Sequence, residues 1–473
     1  MKLIKLSLFL TTTVLLISCS SNKISKPEIE IPSTFNVEKR EFDKDTSILL
    51  SKLNYKEFYT DSVLVHLIDE ALTKNNDLKI ALLNIQSSTL EVKKSKLSML
   101  PTVNSAVGIA SINRPSDNSL NGITLNQFLG QKYIEDYSSN ISISWEADFW
   151  GKLKNTKEEA ITDLLKSEAS TRIIRSHLIS SVADGYFNLL YLDNQLEIIN
   201  QNLKLAENTL KILKIQFEVG SINSLAVEQQ EVFILEILKS IPLVKNQIII
   251  QENQLLLLAG STPSKINRIS KLQDIVFLSK FSEGVPAQLL SNRPDIKVKE
   301  FELRKNWAKT NLAKINMYPA VNITAQGGIN SFKSENWFNI PSSLFGLVTG
   351  SILQPIFNGK KLKTKYEQQK VATLQAEISF KQSFLFATVE VTNLLNTLES
   401  IKEQEMIAQK QVEKANILVT NSLKLYSLSE TTYLEVISAQ SNKLKVEIEL
   451  AIIHKQKFVA IGLLYKALGG GAN

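Results

Sequence analysis

The sequence predicts a mixed α and β membrane protein in which one structural unit occurs twice. Two similar segments lie about 208 residues apart, at Ser144–Lys154 and Leu353–Lys363. In each segment, a Gly-Lys pair near the end is followed by at least one more lysine. The stretch from Lys360 to Ile461 contains neither glycine nor proline. Helices of roughly 60 residues would reach about 90 Å at about 1.5 Å per residue. A repeated unit of short strands and a very long helix is typical of an assembly.

The N-terminus predicts a secretory signal followed by a lipid anchor. Lys2 and Lys5 form a basic start, an apolar run covers residues 6–17, and the sole cysteine of the chain is Cys19. Leu16–Cys19 resembles a bacterial lipobox, which implies cleavage after residue 18 and acylation of Cys19. Two or three acyl chains anchor a protein durably. Ser20 follows where an aspartate would signal retention in the inner membrane, so the resemblance favours the outer membrane.

Internal similarity divides the mature chain into two copies. The predicted segments are a linker at 19–60, a first repeat at 61–260, a connector at 261–285 and a second repeat at 286–469. Four pairs of positions match in the same order in the two copies: Asp77 with Asp295, Pro101 with Pro319, Phe217 with Tyr426, and Gly260 with Gly469. Four ordered matches make coincidence a poor explanation.

Each copy is predicted to contain a long helix, a turn and a returning helix. The predicted long helices cover 152–217 and 360–426, and the returning helices cover 225–258 and 433–468. Apolar residues recur in alternating steps of four and three, from Leu178 to Phe217 and from Ala387 to Val419, and Glu405 is the polar exception in the second run. This is the repeat of a coiled-coil seam. The periodicity alone is also compatible with a soluble coiled-coil bundle.

Between an entering helix and the long helix, each copy holds a pair of predicted strands, at 102–112 and 138–149, and at 320–331 and 345–357. Ile141, Ile143 and Trp145 alternate with polar neighbours, as expected of a strand with one apolar and one wet face. The last of the four strands alternates poorly. An ordinary half-buried hairpin is the alternative interpretation, but two hairpins at equivalent places favour a membrane β-barrel.

Four strands cannot close a barrel, because a closed barrel with a filled interior takes about eight. The chain is therefore expected to oligomerise. Three copies would supply twelve strands, enough for an open lumen.

Several other functions find no support in the residues. The 54 basic and 47 acidic residues are interspersed along the sequence, without the clustered Lys and Arg of a nucleic-acid site. His66, His177 and His454 lie on separate segments without metal-ligand spacing. No phosphate-binding loop or hydrolase motif is present. We therefore expect no cofactor, no metal and no enzyme activity.

Six segments resemble the TolC-like outer-membrane efflux proteins, specifically the lipoprotein branch that serves RND-type pumps. They are Leu16–Cys19, Ser144–Lys152, Leu257–Pro263, Asn292–Ile296, Gln354–Lys360 and Leu464–Gly470. The resemblance implies a homotrimer with a twelve-stranded β-barrel in the outer membrane and a twelve-helix α-barrel through the periplasm. It also implies a periplasmic adaptor protein that links a closable tip to an inner-membrane pump.

The same resemblance assigns roles to particular residues. Gly151 and Gly359 would be the switches from strand to helix. The adaptor-contact tips would be Val219, Gly220 and Ser221 in copy one, and Leu428, Ser429 and Glu430 in copy two. The gate candidates are Tyr426, Glu430 and Glu435. Ser429 stands where the family usually has glycine, and Ser438 stands where it often has aspartate, so the tip departs from the family pattern at two positions.

The leading hypothesis is a passive exit duct of a tripartite efflux pump. Two alternatives remain from the sequence: the outer-membrane duct of a type I protein secretion system, and a lipid-anchored periplasmic coiled-coil scaffold without a pore. The transported substrate is not encoded in any recognisable site.

Overall fold

The computed structural model of the chain describes residues 48–49, 53–275, 281–282, 289 and 292–472. Cys19, the signal at 1–18 and most of the predicted linker lie outside the described residues, so the predicted lipidation stays a prediction. Among the described helices, none combines the length and the apolar character that a bilayer crossing requires.

The first copy contains two strands of a sheet with a short helix in the loop between them, followed by two long helices. Its elements are β1 (Ile48–Leu49), α1 (Tyr55–Phe58), α2 (Ser62–Lys74), α3 (Asn76–Leu97), β2 (Thr102–Asn113), α4 (Leu120–Leu129), β3 (Ile134–Glu146), α5 (Lys152–Glu218) and α6 (Ser224–Leu258).

Among its described residues, the second copy repeats the main part of this order, which is an entering helix, two strands, a long helix and a returning helix. Its elements are β4 (Phe281–Ser282), α7 (Pro294–Ile315), β5 (Ala320–Ser331), β6 (Leu344–Leu353), α8 (Lys361–Ser427) and α9 (Tyr433–Ala467). The two long helices, α5 and α8, have the same length of 67 residues, and the returning helices α6 and α9 both have 35. The internal duplication predicted from the sequence is thus present in the fold.

Four strands form one antiparallel sheet in the order β2-β3-β5-β6. The predicted strand at 138–149 is shifted, since β3 covers Ile134–Glu146. The Asp148 carboxylate accepts hydrogen bonds from the backbone N–H groups of Leu153 and Lys154 at 3.0 and 2.9 Å. Residues 147–150 therefore cap the following helix, although their apolar alternation is typical of a strand.

The predicted strand at 345–357 is also too long, because β6 ends at Leu353. Pro355 has no N–H to donate to a ladder, and the Gln354 side chain instead donates to the Met317 carbonyl at 2.9 Å. The predicted polar loop between β2 and β3 contains the helix α4, whose start is capped by the Ser119 hydroxyl accepting from Gly122 N–H at 3.1 Å.

The C-terminal end of the predicted linker 19–60 is packed rather than extended. Phe58 and Tyr59 are 1% and 2% exposed, and the Phe58 ring stacks on Tyr465 with a centroid distance of 4.1 Å. Aromatic side chains bury enough surface to order a short segment. Residues 53–60 are therefore part of the packed body of the protein.

The predicted seams form the core of the helical hairpins. In α5, Leu178, Val182 and Leu189 are buried, and in α8 the same holds for Ala387 and Val391. Glu405, the polar exception in the α8 seam, forms an ion pair with Lys457 of α9 at 2.7 Å. A paired carboxylate is tolerated at a seam position where an unpaired one would be costly.

Each returning helix ends against the start of an entering helix in the same manner in both copies. In copy one, the Asn75 amide donates to the Leu258 carbonyl at 3.0 Å. In copy two, the Arg293 guanidinium donates to the Ala467 carbonyl at 2.8 Å. These two joints tie the end of each returning helix to the start of an entering helix of the same copy.

Candidate functional site

The register of the sheet sorts its side chains onto two faces. Polar residues of neighbouring strands pair with one another: Ser142 with Asn104 and Gln326, Ser144 with Thr102 and Thr324, and Glu146 with Asn322. Apolar residues pair on the opposite face: Ile143 with Val103 and Ala325, Trp145 with Ile323, and Val321 with Ile352. One face of the sheet is thus suited to water and the other to hydrocarbon.

The two outer strands of the sheet leave open edges. Within the described residues, β2 pairs only with β3 and β6 pairs only with β5. Large apolar side chains on these strands are strongly exposed in the single chain, with Val107 at 86% and Val348 at 77%. Long exposed edges invite pairing with another chain.

The predicted strand-to-helix switches lie where the backbone changes direction. Gly151 (φ 77°) and Gly359 (φ 63°) have left-handed backbone conformations at the starts of α5 and α8. Lys360 adds a second left-handed residue, with φ 61°. Glycine adopts this conformation without steric cost, whereas a side chain does not. The two switches are hence similar in geometry, and the second carries extra strain at a lysine.

The two helix tips have the same hydrogen-bonded turn. In copy one, Gly220 has φ 70°, and Ser221 N–H donates to the Gln216 carbonyl at 2.8 Å. In copy two, Ser429 has φ 61°, and Glu430 N–H donates to the Leu425 carbonyl at 3.0 Å. Both are Schellman turns with a left-handed residue after the helix end.

Each tip presents one exposed apolar side chain at the equivalent position before the left-handed residue. Val219 is 70% exposed and Leu428 is 58% exposed. The other predicted tip residues, Gly220, Ser221, Ser429 and Glu430, are exposed as well. The tips therefore offer small matched patches that a protein partner can contact.

The serine in the second tip leads to a first prediction. We expect Ser429→Gly to stabilise the α8–α9 hairpin by about 0.5–1 kcal/mol, because glycine relieves the left-handed strain. The matched change Gly220→Ser should destabilise the α5–α6 hairpin by a similar amount, since no atom crowds a Cβ there and only the backbone conformation opposes it. Hydrogen exchange of the tip amides measures both effects. Equal protection of the tip amides in wild type and Ser429→Gly would contradict the strain argument.

The gate candidate Tyr426 lies inside the second tip against another tyrosine. Its ring meets Tyr433 edge-on, with a centroid distance of 5.6 Å and an interplanar angle of 65°. The Tyr433 hydroxyl donates to the side-chain oxygen Oε1 of Gln230, and the Gln230 side-chain Nε2 donates to the Ala206 backbone carbonyl at 2.7 Å. Burial raises the pKa of Tyr433, so it remains a donor at any physiological pH. Tyr433 thereby connects the second tip to the first hairpin.

Sequence reasoning missed Tyr433 and Gln230. They are 203 positions apart, and Gln230 is fully buried although glutamine is typical of an exposed helix face. No local pattern could reveal their contact. A buried apolar cluster surrounds it, formed by Leu213, Ala226, Tyr433 and Val436.

The acidic gate candidates do not converge within one chain. Glu430 is exposed, and its backbone N–H is used in the turn. The Glu435 carboxylate accepts a hydrogen bond from the Thr432 hydroxyl, which holds the pKa of Glu435 below its usual range. Glu435 is exposed as well. It therefore stays ionised to lower pH than an ordinary glutamate, and its position at the start of α9 is favourable for the helix dipole.

Within the part of the chain that the structure describes, no three His, Cys, Asp or Glu side chains group as metal ligands. His454 lies with its Nε2 3.3 Å from Glu405. Burial, opposed by the charge of Glu405, lowers the pKa of His454. It belongs to the packing between α8 and α9.

The comparisons with known proteins agree with this geometry. A model of the family described as "Outer membrane efflux protein" matches residues 67–261 and 285–470. The cation efflux system protein CusC of Escherichia coli is 25% identical over 449 residues, which cover 94% of each chain. The toluene efflux pump outer membrane protein TtgF of Pseudomonas putida is 27% identical over 421 residues, covering 89% of this chain and 86% of TtgF.

Solved structures have the same fold. A crystal structure of CusC aligns with a TM-score of 0.84 and 24% identity, covering 95% of this chain and 99% of that one. The open state of the Neisseria gonorrhoeae MtrE outer membrane channel aligns with a TM-score of 0.82 and 22% identity, covering 95% and 98%. A two-faced sheet continued by paired long helices with matched tips defines the class of TolC-like outer-membrane channels.

The chain belongs to the outer membrane efflux protein family. The family match covers both copies of the duplicated unit and leaves out residues 1–66, 262–284 and 471–473.

Proposed function

We propose that the chain is a passive, trimeric exit duct that crosses the outer membrane and the periplasm as part of a tripartite efflux pump. It would act without catalysis, closed at its periplasmic tips until its partners open it. A lipid anchor at Cys19 would hold each chain to the outer membrane. The observation that carries the proposal is the separation of polar and apolar side chains on a four-stranded sheet with two open edges.

The sheet supports a barrel built from several chains. If β6 of one chain pairs with β2 of the next, the polar face encloses a wet lumen and the apolar face meets lipid. Four strands are too few to close alone, and three copies give a twelve-stranded barrel. Closure removes the exposed edges that would otherwise aggregate.

The helices support the same assembly. Large exposed apolar side chains lie along α6 and α8, among them Leu235 at 63%, Leu243 at 62%, Phe386 at 66% and Ile407 at 63%. Within the chain, α6 packs on α5, while α8 packs on α9 and α7. Apolar helix faces left uncovered in one protomer mark an interface with another copy.

The partners we propose are a periplasmic adaptor protein, docked on the tips, and an inner-membrane RND-type pump. The names of the relatives refer to cations, toluene and, for a Pseudomonas aeruginosa protein, pyoverdine export. Such different cargo on similar ducts supports a weakly selective channel, in which the pump selects the substrate.

We expect two single gene deletions, one of this chain and one of a neighbouring RND pump, to cause the same gain in drug or metal sensitivity. Sensitivity unchanged by loss of this chain would contradict the proposal.

The bond between Tyr433 and Gln230 leads to a second prediction, on gating. We expect Tyr433→Phe to raise the resting conductance of the channel, because Gln230 then keeps a buried oxygen without a donor, at a cost of about 1–3 kcal/mol. Tyr426→Phe is the matched control, since the Tyr426 hydroxyl has no hydrogen-bond partner among the residues that the structure describes. Single-channel recording compares the open fractions. Equal open fractions for Tyr433→Phe and wild type would remove Tyr433 from the gate.

A further inference from the structure

Lysines that are scattered along the sequence come together where the sheet meets the helices. The register pairs Thr102 with Ser144, Glu146 with Asn322 and Ala320 with Leu353, so all four strand–helix junctions lie at one end of the sheet. Eleven lysines and two acidic residues lie in these junctions, which are residues 91–100, 147–157, 314–320 and 353–365. We call this band the lysine collar.

Most of the positive charge of the lysine collar is not neutralised by the chain itself. Lys94 pairs with Glu91 at 3.0 Å, and Lys152 pairs with Glu146 at 2.8 Å. The other acidic residue of the collar, Asp148, is occupied by backbone N–H groups. Within the described residues no carboxylate forms an ion pair with any of the nine remaining lysines: Lys93, Lys96, Lys154, Lys157, Lys314, Lys360, Lys361, Lys363 and Lys365.

Several collar lysines occupy positions that the helices themselves disfavour. Lys361 and Lys363 lie in the first turn of α8, and Lys152 and Lys154 lie in the first turn of α5. Neither first turn contains an acidic residue. Cations at a helix N-terminus are repelled by the helix dipole. At α5 the Asp148 carboxylate already offsets part of this repulsion, and at α8 an external anion would offset it.

A ring of exposed apolar side chains adjoins the lysine collar on the side of the sheet. Phe149 is 67% exposed, Ile356 is 95% exposed and Phe357 is 86% exposed. Trp150 is anchored by a hydrogen bond from its Nε1 to the Pro319 carbonyl at 2.8 Å. Aromatic side chains concentrate at the level of lipid headgroups. The collar therefore lies next to the headgroups of the periplasmic leaflet if the sheet spans the membrane.

We propose that the lysine collar binds anionic phospholipid headgroups of the leaflet that faces the periplasm. The proposal rests on the proposed function, because it places the sheet in the outer membrane. The charge of the collar complements phosphate, and basic side chains directly beside a membrane-spanning region attract anionic lipid. The adjacent apolar ring receives the acyl chains, which makes a bilayer lipid a better fit than free phosphate.

Native mass spectrometry of the purified full-length protein, with phosphatidylglycerol or phosphatidylcholine added, tests the proposal. The collar variant replaces Lys360, Lys361, Lys363 and Lys365 by glutamine. The control variant makes the same change at four exposed lysines far along the same helix, Lys402, Lys410, Lys414 and Lys424. We expect wild type and control to retain phosphatidylglycerol at least about tenfold better than phosphatidylcholine. We expect the collar variant to lose most of this preference.

Two outcomes would overturn the proposal. One is an unchanged lipid preference in the collar variant, and the other is an equal loss in both variants, which would indicate a general effect of charge. If the collar variant keeps its lipids but no longer binds the adaptor, the collar is a protein-binding surface and the lipid proposal is wrong. The conductance of the wild-type protein in planar bilayers of the same lipids reports the channel function separately, so a failure of either proposal can be recognised.

Discussion

Ile141→Lys is expected to prevent the protein from assembling in the outer membrane. Ile141 lies near the middle of β3, is 55% exposed and is on the apolar face of the sheet, beside Gly327. A lysine at the bilayer midplane of a barrel costs about 2–4 kcal/mol, and each trimer would contain three. Heat-modifiability on gels and the amount of folded protein in outer-membrane fractions measure the effect.

Ser142→Lys is the matched control for this prediction. Ser142 is the next residue in the same strand, and its register partners Asn104 and Gln326 are polar. We expect Ser142→Lys to assemble like wild type, because its charge enters the wet lumen. Reduced cation conductance would accompany it. If both variants assemble equally well, the assignment of the two faces is wrong.

Arg293→Ala is expected to disrupt the contact between the end of α9 and the start of α7 in the second copy. Arg293 is 9% exposed and contacts three elements: it pairs with Asp295 of α7 at 2.7 Å and Glu390 of α8 at 2.6 Å, and it donates to the end of α9. Burial opposes ionisation of Asp295, but the hydrogen bonds from Arg293 outweigh it and hold the pKa of Asp295 below its usual range. Both carboxylates would lose their partner.

We expect Arg293→Ala to lower stability by about 2–4 kcal/mol, which is less than a fully buried pair would lose because the two carboxylates are partly exposed. Arg293→Lys should restore little, since a lysine cannot form the bidentate contact with Asp295. Arg304→Ala, which removes an exposed pair with Glu158 at 3.1 Å, should cost less than about 1 kcal/mol. Thermal unfolding of the purified protein ranks the three variants. A midpoint for Arg293→Ala near that of Arg304→Ala would show that Arg293 is not essential to the joint.

The periodic features of this fold could be predicted from the sequence. The seams of α5 and α8 follow from apolar residues at steps of four and three, and the paired strands follow from alternation and duplication. The strand ends were predicted less well. Asp148 caps a helix and Pro355 interrupts a ladder, and both effects depend on contacts that a pattern of apolar residues does not contain.

Contacts between distant segments could not be predicted. Gln230 and Tyr433 meet only because two copies of the hairpin pack side by side, and the lysine collar forms only because four junctions meet at one end of the sheet. The sequence shows interspersed charges, and the fold separates them. The residue roles at the tips follow from family resemblance, because they concern contacts that other chains would make.

The central claim is that several copies of this chain form a water-filled channel. Recording from planar bilayers with the purified, full-length protein tests it most directly. The account predicts discrete conductance steps from a particle of three chains, abolished by Ile141→Lys and retained by Ser142→Lys. A stable particle that carries no current, in wild type and after Tyr433→Phe alike, would contradict the channel and favour a periplasmic scaffold.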